Sequence, residues 1–245
     1  TQYIDMLGGR GFETNKMKLF KRGIESSFVK TSPKRQEKIK TKLDLKDGMT
    51  IVYAGLIGQE KNLKLLRDAY EAVHSTKPNV NLIIIGDGPE LDDINAWAKG
   101  KARVHVTGRV PREELPDYYE LCNLFIFPST TDTFGMAVLE AQACGLPALV
   151  TNEGGPQEIV KNEITGHVLD PKQPDQWVET ILQMADLLED HPEEYAKMRA
   201  KISDLSLSSH GWQSVLEDVL GPKNNGEPSL KMQGAEDTGD DCEKE

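Results

Sequence analysis

Two carboxylates stand eight residues apart in the stretch FIFPSTTDTFGMAVLEAQACG, Phe125 to Gly145. They are Asp132 and Glu140, a D-x7-E spacing. The apolar run Phe125-Ile126-Phe127 breaks at Pro128 into a Ser/Thr/Asp loop, and an amphipathic segment starts near Gly135. With a helix starting at about Phe134, Glu140 sits two turns in, so the carboxylates are ~10 Å apart at 1.5 Å per residue. The unpaired N–H groups of the first turn lie between them and form an anion site. A carboxylate, an anion cradle and a second carboxylate suit a sugar–diphosphate–ribose ligand. The bland alternative is that Asp132 or Thr133 caps the helix and Glu140 lies on the surface.

Those residues need a scaffold, and the flanking pattern supplies one. From residue 50 short apolar runs alternate with helical periodicity, which predicts a parallel βα sheet. Strands are expected at Thr50–Ala54, Asn81–Ile85, Arg103–Thr107, around Phe125, at Ala148–Thr151 and at Gly166–Leu169. Helices are expected at Asn62–His74, Glu90–Ala98, Arg112–Cys122, from Gly135, and near 174–189, 193–205 and 212–220, with a short one opened by Gly154-Gly155-Pro156. Ligands of open α/β sheets bind beyond the carboxyl ends of the strands. The loops carrying Gly55, Gly86, Gly108, Asp132 and Gly154 all follow strands, so they should converge on one edge. Lys61 stands just before a helix, where a cation opposes the dipole by about 0.3–1 kcal/mol. An anion partner such as a diphosphate would explain it; a solvated lysine reaching past Glu60 is the alternative.

The D-x7-E segment resembles the E-x7-E motif of the retaining glycosyltransferases of family 4, or group 1, which have the two-domain GT-B fold. Further stretches match in order: Arg22-Gly23-Ile24, YAGLIGQEKNL from Tyr53, LIIIGDGP from Leu82, VTGRVPREEL from Val106, and NEGGPQEIV from Asn152 with Thr165-Gly166. The match spans roughly residues 18 to 220. It implies the C-terminal half of such a fold, a Rossmann-like parallel sheet flanked by helices that holds the donor, a UDP- or GDP-sugar. Glu140 would accept from the ribose hydroxyls, and Lys61 would bind phosphate. Phe134, Gly135 and Met136 would offer backbone amides to sugar and diphosphate, and Arg109 and Val110 would read the base through their main chain. Gly55 and Gly86 would let backbone approach the ligand. Asp132 would lie by the donor sugar's anomeric region, one methylene shorter than the family's glutamate. The family also places an arginine after the first glycine, where this chain has Leu56. Arg109 or another domain would have to compensate.

The resemblance implies a retaining, metal-independent transferase of hexosyltransferase type. The acceptor would be met by an N-terminal Rossmann-like domain, in cis or as a separate chain, without which turnover would be slight. The chain starts with Thr1, so residues 1–30 are expected to be the remnant of that domain and an interdomain strand (MKLFKRGI), residues 31–220 the donor domain, and 221–245 an acidic disordered tail. The other reading is a non-catalytic nucleotide-sugar-binding or interaction module, half of a split enzyme or a degenerate transferase. A nucleotide-sugar epimerase is more distant.

Composition narrows the rest. A net charge of −11 disfavours a nucleic-acid partner. No apolar run approaches the ~20 residues of a membrane helix, so peripheral membrane association would fall to the other domain. Cys122, Cys144 and Cys242 form neither a disulfide framework nor a zinc site, and a reducing cytoplasmic setting is expected. The five histidines lack metal spacing and no D-x-D motif occurs, so no metal or other cofactor is expected. There is no G-x-S-x-G or Walker A motif, and GDGP is not a dinucleotide fingerprint.

Overall fold

Every residue of β1 (Thr50–Ala54) and β2 (Asn81–Ile85) is buried, as are those of β4 (Leu124–Phe127) and β5 (Ala148–Thr151). Strands buried along their whole length must be covered on both faces, the condition of a parallel sheet sandwiched by helices. The computed structural model, which describes residues 2–17 and 22–220, has that architecture. With β3 (Val104–Gly108) and β6 (Gly166–Leu169) the sheet has six parallel strands in the order β3-β2-β1-β4-β5-β6. β3 and β6 are the edges and are only half-buried beyond their first residues.

Nine helices occur among the described residues: α1 (Gln2–Gly9), α2 (Pro33–Leu43), α3 (Leu63–Thr76), α4 (Leu91–Ala98), α5 (Leu115–Glu120), α6 (Met136–Ala143), α7 (Pro174–Asp190), α8 (Pro192–His210) and α9 (Trp212–Leu220). α3 buries Leu63, Leu66, Ala69, Tyr70 and Val73, the face its periodicity predicts, and packs on α7, whose Trp177 is fully buried. The Trp177 indole donates to the Asp170 carbonyl at 3.0 Å, so its polar edge is satisfied in the core. α6 packs on α8. The helix expected over 112–122 is divided: a 3₁₀ turn, Arg112–Glu114, precedes α5, whose first turn holds Pro116. Proline lacks the N–H of a continuous helix but suits a first turn.

Cys122 and Cys144 are free thiols, the first buried and the second partly so, and burial raises both, Cys144 to about 12. They are inert at neutral pH. No described helix is long and apolar enough to cross a membrane. Of the interdomain segment, residues 18–21 lie outside the described residues, and Ile24 forms an isolated parallel bridge with Gly211. The acidic segment 221–245 also lies outside them.

Candidate functional site

Strand order reverses between β1 and β4, and the loops following β1, β2 and β3 enclose a cavity of about 510 Å³. Its position fits the crevice rule for open α/β sheets. Gly55, Gly86, Arg109, Val110 and Glu140, all expected at a site, line it. Gly86 has φ +150°, and a Cβ there would stand 1.8 Å from the Gly55 carbonyl oxygen, so only glycine lets the β1 and β2 ends come this close.

Glu140 is 7% exposed, amid Val138, Leu139 and Ala141, which are fully buried. It is therefore not a surface residue. Burial raises its carboxyl above the ordinary 4.5, and Arg112, whose Nε donates to Oε1 at 2.7 Å, pulls it back down. A carboxyl whose folded value is raised binds its proton more tightly in the folded chain. Its favourable contribution is thus complete below the unfolded value and is lost as pH rises through the folded one. Melting temperature measured against pH should show wild type losing ground to Glu140→Gln on rising from about pH 4.5, then a constant gap.

The second cluster lies beside the cavity. Lys61 ends the 3₁₀ turn Gln59–Lys61 before α3, and its Nζ is 2.7 Å from Asp132 Oδ2, both side chains being largely buried. The anion beside Lys61 is therefore Asp132. Asp132 does not cap α6: the N-cap is Gly135, at φ 92°, and no side chain caps the helix. Phe134, Gly135 and Met136 lead directly into Ala137 and, one turn further, Glu140 in the cavity wall. Lys61, Asp132 and residues 134–136 are not themselves in the cavity lining.

Gly155 and Thr151 fix the loop that carries Asp132. Gly155 N–H donates to the Asp132 carbonyl at 2.7 Å, and Thr151 Oγ1 donates to the Ser129 carbonyl at 2.7 Å. The close approach made possible by Gly154 and Gly155 is thus to the 130–134 backbone. Leu56 is 50% exposed and lines the same cavity as Arg109. Sequence reasoning missed Arg112, because an ion pair across 28 residues of chain leaves no local signal. It also missed Asp87 and Tyr119 in the lining. The GDGP motif could have indicated Asp87. Among the described residues no group of three His, Cys, Asp or Glu side chains could hold a metal ion.

The reversing parallel sheet and the cavity at its reversal define a Rossmann-like domain with a ligand crevice at its carboxyl edge. The sequence profile of the glycosyl transferases group 1 family matches residues 34–203, and the chain belongs to that family. Sulfoquinovosyl transferase SQD2 of Arabidopsis thaliana is 25% identical over 216 residues, 88% of this chain and 41% of that protein. The GDP-mannose-dependent alpha-(1-6)-phosphatidylinositol monomannoside mannosyltransferase of Mycobacterium tuberculosis is 28% identical over 172 residues, covering 66% of this chain and 45% of its own length. The chain spans about half the length of the curated relatives it matches. The crystal structure of Anabaena Alr3699/HepE in complex with UDP-glucose superposes with a TM-score of 0.75 at 19% identity, over 89% of this chain and 60% of that one. The fold is that of the GT-B glycosyltransferases.

Proposed function

We propose that the chain is the donor-binding half of a retaining, metal-independent glycosyltransferase and that its cavity takes a nucleoside-diphosphate sugar. The observation that carries this is Glu140, a buried carboxylate flanked by Val138, Leu139 and Ala141, lining a cavity at the sheet's carboxyl edge. A buried carboxylate needs donors, and Arg112 supplies one bond. In this reading the vicinal hydroxyls of a ribose supply two more. Lys61 and Arg109 take the diphosphate with the first-turn amides of α6, a preorganised cradle for charge developing on the leaving group. The Arg109–Val110 main chain faces the base. Asp132, released from Lys61, stabilises positive charge at the anomeric centre and is not a covalent nucleophile.

UDP and GDP are the carriers favoured, since the Anabaena structure holds UDP-glucose and the Mycobacterium relative is GDP-mannose-dependent. The acceptor is met by a second Rossmann-like domain, and this chain without it binds donor with little turnover. The setting is cytoplasmic.

Leu56 favours a second reading, a binding module without catalysis, because an alkyl group stands where the family has a phosphate-clamping arginine. Leu56→Arg is expected to raise diphosphate affinity about tenfold, the worth of one charged hydrogen bond. Thermal shift with UDP, GDP and their sugar conjugates checks it. A gain on diphosphates but not on nucleosides supports the placement, and unchanged affinity counts against a diphosphate beside position 56.

A further inference from the structure

Tyr119 on α5 is fully buried and lines the cavity, yet its hydroxyl has no hydrogen-bond partner. Its ring is fixed, edge-on to Phe125 at 5.9 Å and 89°. Buried polar groups are nearly always satisfied, so an orphan hydroxyl beside this cavity calls for a partner. The neighbouring charge is Glu140: after burial, that carboxylate is the strongest influence holding the phenol protonated. Arg112 occupies Oε1 of Glu140 through a single nitrogen. An ionised carboxylate has about four acceptor sites. Arg112 takes one and a vicinal diol would take two, which leaves one for a donor on the core side.

We propose that Tyr119 is a positioning residue for Glu140, its hydroxyl becoming a donor to that carboxylate when the carboxylate turns to receive a vicinal diol. This rests on the nucleotide reading above. It makes diol recognition a property of the Arg112–Glu140–Tyr119 set, with one bond withheld in the unliganded chain. A buried donor left unbonded costs free energy that a bond made on binding would recover.

The test is calorimetry of wild type and Tyr119→Phe with UDP and GDP and with their 2′,3′-dideoxy forms, together with the melting temperatures of both unliganded proteins. The phenylalanine variant should bind the ribonucleotide roughly tenfold more weakly, bind the dideoxy form as wild type does, and melt no lower than wild type. Equal losses for both forms would make the role structural and overturn the proposal, as would unchanged affinity. A lower melting temperature would show that the hydroxyl is already partnered without ligand, with the same consequence. If wild type bound neither UDP nor GDP, the nucleotide reading itself would fall, and this inference with it.

Discussion

Glu140→Ala should lower nucleotide affinity roughly 100-fold, measured by calorimetry on the purified chain, because two hydrogen bonds to an ionised acceptor are lost at once. The fold should survive the change. Arg112, the partner left behind, has a side chain 59% exposed and can return to water. Ionisation of the carboxyl does not add to the fold at neutral pH, since burial disfavours its charged form. A loss of affinity without a loss of melting temperature is thus the signature of a ligand-facing acceptor. A fall in melting temperature with affinity unchanged would assign Glu140 to the core and empty the ribose site of its main feature.

The second large effect is steric. Gly155→Ala would place a Cβ 2.1 Å from the Thr133 carbonyl oxygen and 2.7 Å from the Phe134 nitrogen, all fixed backbone. Gly155 itself has φ −75° and ψ −30°, an ordinary helical conformation, so the requirement is for space rather than for backbone freedom. The loop cannot yield cheaply, since its Asp132 carbonyl is bonded to the Gly155 N–H and Ser129 is held by Thr151. Overpacking of this kind costs about 3 kcal/mol, a fall in melting temperature of roughly 5–10 °C for a domain of this size. Because the displaced backbone leads into α6, nucleotide affinity should fall with it. Gly9→Ala, where nothing lies within 4 Å of the added carbon, is the control and should change neither quantity.

What was legible in the sequence follows from the range of the interactions involved. β1 and β2 fell on the expected residues because each holds four successive apolar residues behind a single polar one. The start of β3 shifted by one residue, from Arg103 to Val104, where Arg103 instead spends its guanidinium on the Asp47 and Asn79 carbonyls. Glu140 could be singled out because its spacing from Asp132 is read within one short stretch of chain. Its partner could not, nor could the pairing of Lys61 with Asp132, 71 residues away. Tyr119 looked like any core aromatic, since whether a phenol is satisfied depends on tertiary neighbours alone.

The proposed function gives both Lys61 and Asp132 to the donor, and the two groups neutralise each other at 2.7 Å. In the proposed function a diphosphate, with two negative groups and several acceptors, would outcompete one carboxylate for Lys61 and so free Asp132 as the sugar arrives.

The central claim is that this cavity binds a nucleoside diphosphate through Glu140. Calorimetric titration of the chain with UDP, GDP and ADP, with and without EDTA, tests it most directly. The expected result is saturable binding of UDP or GDP, unchanged by EDTA and tightened by the attached sugar. Binding of none of the three, or binding that appears only with a divalent metal, would contradict it.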